Sequence, residues 1–120
     1  MRSGTLKRSS PSAGTRSIDR RAVEEAVVEW AVTVRKEHPE IVRIIWFGSW
    51  TGGIPSPGSD VDVCIVLSWS GKPFRERIPD FLPVGFPVGM DVFPYTIDEF
   101  KTLEVRSPEW YRAVASGKDV

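Results

Sequence analysis

A chain of 120 residues with 41% hydrophobic residues has enough apolar material for one compact core and not for a second. Its 16 Lys and Arg balance 16 Asp and Glu, so no overall field draws in bulk nucleic acid, and an anionic ligand has to be met by a local site. One cysteine excludes an internal disulfide framework, no apolar run reaches the roughly 20 residues of a membrane span, and the first residues lack the apolar stretch of a secretory signal, so a cytoplasmic location is expected.

Residues 1–17 carry four bases (Arg2, Lys7, Arg8, Arg16), no acid, and Ser, Gly, Thr and Pro between them. With so little apolar surface to offset the entropy of ordering, this segment is expected to be a disordered basic tail before a folded domain at 18–120. Without those four bases the body has 12 bases against 16 acids and is mildly acidic. The tail has no aromatics to stack on bases, which argues against a nucleic-acid arm.

Ser17 and Asp19 offer N-caps before Val23, Ala26, Val27, Trp30, Ala31 and Val34, whose three- and four-residue spacing predicts an amphipathic helix. Pro39 ends it by biasing His38 out of helical geometry. His38 is the only histidine, with no Cys or second His beside it, and reads as a helix-end residue rather than a metal ligand. Residues 41–47 read as a strand buried on both faces, 48–59 as a Gly- and Pro-rich loop, and 61–67 as a second strand in which Cys64 is a small buried hydrophobe. The segment 72–82 reads as a short helical or irregular crossover broken by prolines. A third strand follows over 88–95, with Pro94 placing its far end at a sheet edge. Thr96-Ile97-Asp98-Glu99 looks like a capping start for a short helix, and Ser107-Pro108-Glu109 for a last one. The sum is a small α/β fold: a mixed β-sheet with helices on one side. Of the five tryptophans, Trp30 and Trp46 read as core, and Trp50, Trp69 and Trp110 as core or covering groups.

The chemistry-bearing stretch is 47–63. Gly48 and Ser49 come straight off a strand, where a missing Cβ lets backbone N–H groups approach an anion and a hydroxyl adds a donor. Asp60 and Asp62 lie two apart on a strand, so both carboxylates emerge on one face, with Cα atoms about 6 to 7 Å apart. Such a pair repels itself unless a cation sits between the two, and oxygen-only donors favour Mg²⁺ or Mn²⁺ over Zn²⁺. Either feature alone is weak. Gly53 lies five residues after Gly48, and Ser59 and Asp60 lie eleven and twelve after it, a combination that chance explains poorly.

Gly48-Ser49, Gly53 and Ser59-Asp60-Val61-Asp62 resemble the signature of the DNA polymerase β-like nucleotidyltransferase superfamily. Over residues 18–115 the chain is similar to its minimal stand-alone branch, often encoded beside a HEPN-domain protein and described as the antitoxin of that pair. The resemblance implies the polymerase β-like nucleotidyltransferase fold and a third carboxylate, supplied by Asp91 in Val88-Gly89-Met90-Asp91-Val92-Phe93-Pro94. It implies that Asp60, Asp62 and Asp91 hold two Mg²⁺ ions, or Mn²⁺, and that Gly48, Ser49 and Gly53 meet the phosphates of ATP. Ser59 would brace the loop or donate to a phosphate. The implied reaction moves AMP to a hydroxyl of a HEPN-domain partner within a hetero-oligomer. The alternatives are a binding antitoxin with a vestigial nucleotide site, and transfer to a small molecule or RNA end.

The chain departs from the family at Gly52, where many relatives carry a base. Phosphate charge is then left to metals, to backbone donors, or to Lys72, Arg75 or Arg77, though 72–77 reads first as a solvated charged segment. Larger relatives add a helical domain that holds the acceptor, and this chain has no length for one.

Overall fold

The computed structural model describes residues 19–52 and 59–120. The tail expected at 1–17, and Gly53, lie outside the described residues. Asp19 caps helix α1 (Arg20–Glu37), its carboxylate accepting from the Arg21 amide at 3.0 Å. The stripe Val23, Val27, Trp30, Ala31 and Val34 is buried as its spacing dictates, and the His38 amide closes the helix by donating to the Val34 carbonyl at 2.8 Å.

Strand β1 (Ile41–Phe47) leads through Gly48 into a single helical turn, α2 (Ser49–Gly52). Strand β2 (Val61–Leu67) is followed by a crossover holding α3 (Phe74–Arg77) and a 3₁₀ turn (Ile78–Asp80). Then come β3 (Met90–Thr96), α4 (Ile97–Arg106), α5 (Pro108–Ala115) and a two-residue strand, β4 (Lys118–Asp119). The sheet order is β3-β2-β1-β4, with β1 antiparallel to both neighbours and β2 parallel to β3. The mixed α/β sheet follows the sequence reading, and Pro94 does lie on an edge strand, where its missing N–H breaks no ladder.

The helices are not gathered on one side. Ile44, Trp46, Val61, Val63, Ile65 and Leu67 face α1, whereas the alternate residues Ile45, Phe47, Cys64 and Val66 pack on Phe100 of α4 and Val114 of α5. The reason is visible in the strands themselves: β1 and β2 are near-continuous apolar runs with no polar face, so both faces must be covered. Strand β4 was not foreseen, since two polar residues carry no period. Gly117 makes it possible, because a Cβ there would run into the Trp46 carbonyl and the Phe47 side chain.

The crossover is fastened at the C-terminal end of β3. Arg77 is 5% exposed. It donates to the Lys72 carbonyl at 2.8 Å, the Pro94 carbonyl at 2.9 Å and both Glu99 oxygens at 2.7 and 3.2 Å. Glu99 also closes the Thr96 capping box that starts α4. Among the described residues, no helix is long and apolar enough to cross a membrane.

Candidate active site

Parallel pairing of β2 and β3 sets Asp62 directly beside Asp91, about 4.8 Å apart across the ladder. Asp60 lies two residues before Asp62, just ahead of β2, and the Val61 amide ties this entry to the Gly89 carbonyl at 2.9 Å. By the alternation of strand residues, all three carboxylates belong to the α4/α5 face of the sheet, at one end of it. Asp60 and Asp91 are exposed and Asp62 is half-buried.

Two glycines make room for these carboxylates. Gly48 has φ +90° and its missing Cβ would stand 2.5 Å from Asp62 Oδ2. At Gly89 a Cβ would overlap the Asp60 carboxylate. Gly89 was not singled out from the sequence; the available signal was a glycine two residues before Asp91. Gly48→Ala is expected to cost about 1–3 kcal/mol through backbone strain alone and to push Asp62 out of line. Urea unfolding measures the first effect and transfer activity the second.

Next to the carboxylates on this face lies an aromatic floor. Phe47, whose Cα pairs with Asp62, has its ring 5.8 Å from Phe93 and 5.4 Å from Trp110, and the Phe93 and Trp110 rings lie 5.1 Å apart. Burial pushes the Asp62 carboxyl above its ordinary 3.8, and the charges of Asp91 and then Asp60 push it further the same way. Asp62 therefore sits where a cation would relieve it, and an all-carboxylate donor set suits a hard divalent ion. Among the described residues, no three Asp, Glu, His or Cys side chains are already drawn around one point as metal ligands are.

The Gly-Ser turn is closed by the Thr51 amide and hydroxyl, both 3.1 Å from the Gly48 carbonyl. Trp50, read from the sequence as a core or covering group, is 4% exposed, so it does not offer a face to a nucleotide base. Its indole N–H donates to the Ser59 carbonyl at 2.9 Å, and its own carbonyl accepts from Arg20. Trp50 thus joins the Gly48-Ser49 turn to Ser59, the residue before Asp60, and holds the phosphate-type turn and the first carboxylate in one frame. Trp50→Phe keeps the ring in the core and removes the N–H. It is expected to lower kcat about 10-fold, as loss of an outer hydrogen bond to a ligand set does, with a folded far-UV circular dichroism spectrum.

Two of the crossover bases are engaged elsewhere. Lys72 pairs with Asp80 at 2.8 Å and Arg77 is spent on Glu99 at the opposite end of β3 from Asp91. The reading of 72–77 as a solvated charged segment fits Lys72 but not Arg77, which is buried and committed to Glu99 and two carbonyls. Cys64 is buried and its thiol is pushed up to about 12, so it is no nucleophile. Trp110 is partly buried against the core on the α4/α5 face of the sheet, with its N–H on the Tyr95 hydroxyl at 3.0 Å. Trp69 instead lies 68% exposed, against its reading as a core or covering group, two residues beyond the end of strand β2.

Comparison with known families matches residues 28–113 to the nucleotidyltransferase domain. No curated protein and no solved structure matches the chain. The matched span runs from α1 to α5 and takes in Gly48, Ser49, all three aspartates and the sheet that aligns them; the chain belongs to the nucleotidyltransferase domain family.

Proposed function

We propose that this nucleotidyltransferase is a Mg²⁺-dependent, cytoplasmic enzyme that moves AMP from ATP to a hydroxyl of a partner protein, as the antitoxin of a HEPN-type pair. The observation that carries the reading is the register of Asp62 with Asp91 beside the Gly48 turn, with Asp60 two residues away. Asp60, Asp62 and Asp91 would hold the metal, and Gly48 and Ser49 the β- and γ-phosphates. Bound divalent cations supply charge neutralisation on the triphosphate and lower the pKa of the attacking hydroxyl. The acceptor oxygen forms a bond to the α-phosphorus as the bond to the β-phosphate bridging oxygen breaks and pyrophosphate leaves. The hydroxyl proton goes to Asp91 or to solvent.

A protein acceptor is supported by the exposed surface. Among the described residues Trp69, Leu82 and Val84 are 68%, 44% and 101% exposed, apolar groups open to contact with a partner protein. Incubation with α-labelled ATP, Mg²⁺ and a HEPN-domain partner is expected to label the partner, and Asp60→Ala to abolish both labelling and protection. Gly52 in place of the usual base favours a second reading, neutralisation by contact alone. Protection by Asp60→Ala without label would establish it. Label on RNA or a small molecule with no partner present would move the acceptor to that class.

A further inference from the structure

Each of the other buried or half-buried tryptophans has an acceptor for its indole N–H: Trp30 donates to the Phe81 carbonyl at 2.8 Å, Trp50 to Ser59 at 2.9 Å and Trp110 to Tyr95 at 3.0 Å. Trp46 is different. It is 2% exposed, and its Nε1 is the one buried side-chain polar atom with no partner among the described residues. An orphaned buried donor is costly and calls for a bound acceptor.

Trp46 also forms part of the wall of a half-open cavity of about 160 Å³, together with Arg20, Glu24, Thr51, Gly117 and Lys118. Two cations and one acid give this cavity a net positive charge on an otherwise acidic body. Glu24 is engaged with Arg20 at 3.6 Å. Lys118 makes no ion pair among the described residues, and its ammonium stands 5.3 Å over the Trp46 ring. Arg20 lies 5.9 Å over the Trp50 ring. The Thr51 hydroxyl already donates to the Gly48 carbonyl. Arg20 already serves Glu24 and the Trp50 carbonyl, so the donors left to complete are the Trp46 indole N–H and the Lys118 ammonium; neither carries an acceptor atom, and what completes them must be rich in acceptors and negatively charged. The volume equals about five water shares of roughly 30 Å³ each, room for a tetrahedral oxyanion.

We propose that this cavity, between the start of α1, the α2 turn and β4, is a binding site for a small oxyanion of the phosphate class. It is distinct from the carboxylate end, because Trp46 points to the α1 face of β1 while Phe47, opposite Asp62, points to the other. The two regions share the α2 turn, so an anion here braces Trp50 and Thr51 from behind. Gly117 is what keeps β4 close enough for Lys118 to reach over Trp46.

The test uses ¹⁵N-labelled full chain without nucleotide or divalent cation, so its failure leaves the nucleotidyl-transfer reading untouched. The Trp46 indole signal is identified by its loss in Trp46→Phe, and inorganic phosphate is titrated against chloride at constant ionic strength. The expected result is a saturable shift of that signal by phosphate and not by chloride, with affinity about tenfold lower in Lys118→Gln and unchanged in Asp62→Asn. Should Trp46→Phe fail to fold, the signal is assigned instead by its proximity to the Lys118 side chain in nuclear Overhauser spectra. A signal that does not move, that moves equally with chloride, or that moves equally in Lys118→Gln overturns the proposal and leaves water as the partner of Trp46.

Discussion

Asp62→Asn is expected to lower nucleotidyl transfer by about 10³-fold or more, while the metal-free protein becomes more stable than wild type near neutral pH. The loss follows from the proposed role of Asp62 as a metal ligand, because metal charge stabilisation is worth several kcal/mol, at 1.36 kcal/mol per decade of rate. The gain in stability follows from the position of Asp62, half-buried and beside two other carboxylates. Its folded pKa lies above the ordinary 3.8, so the folded state holds a proton that the unfolded chain has already released. Wild-type stability without metal therefore falls as pH climbs from about 3.8 through the raised value. Asn has no such penalty, and the two melting curves are expected to converge in acid. Mg²⁺ is expected to raise the wild-type melting temperature and to leave that of Asp62→Asn nearly unmoved. Calorimetry across pH 3 to 7, with and without Mg²⁺, checks all three statements. Equal activity of Asp62→Asn and wild type would sink the metal-site reading.

Arg77→Ala carries the largest stability effect. Removing one partner of a buried ion pair costs about 3–5 kcal/mol. Glu99 keeps 44% of its side chain exposed and regains some hydration, so about 2–4 kcal/mol is expected here. For a domain of this size that lowers Tm by roughly 10 to 20 °C. The variant also strands the Pro94 and Lys72 carbonyls that Arg77 serves, and Lys in its place cannot reproduce the fork. The Arg77 hydrogen bond, with the Thr96 cap beside it, holds the Glu99 carboxyl below its ordinary 4.5. That share of stability is full above about 4.5 and is lost as pH falls through the lowered value. The gap between wild type and Arg77→Ala is thus expected to narrow in acid, as chemical denaturation at pH 7 and pH 3 will show. If ATP binding at low temperature drops as sharply as stability does, Arg77 has a phosphate role after all.

Local pattern made much of the architecture readable. The α1 stripe from Val23 to Val34, its Asp19 cap and the apolar runs of β1 and β2 all report a 3.6 or 2.0 period or its saturation, and each is settled by neighbours within a few residues. The Gly48-Ser49 and Asp60-x-Asp62 elements were likewise legible, because a turn and a same-face pair are properties of a short segment. The covering of both sheet faces was also implicit in strands with no polar side, although the reading had placed the helices on one. Strand β4, the Arg77–Glu99 clasp and the clearance that Gly89 gives Asp60 left no local trace.

What the amino-acid sequence determined by itself was the set of groups: three carboxylates, a glycine-serine turn and enough apolar residues for one sheet with its helices. What only the tertiary structure decided was their company. Parallel pairing of β2 with β3 put Asp91 next to Asp62, and the route of the crossover carried Lys72 and Arg77 to the far end of the sheet. Burial turned Trp50 into a brace and left Trp46 without an acceptor. The physical reason is range. Turn geometry and side-chain alternation act over a few residues of chain, whereas strand register, desolvation and the pairing of buried donors depend on segments that meet only when the core closes.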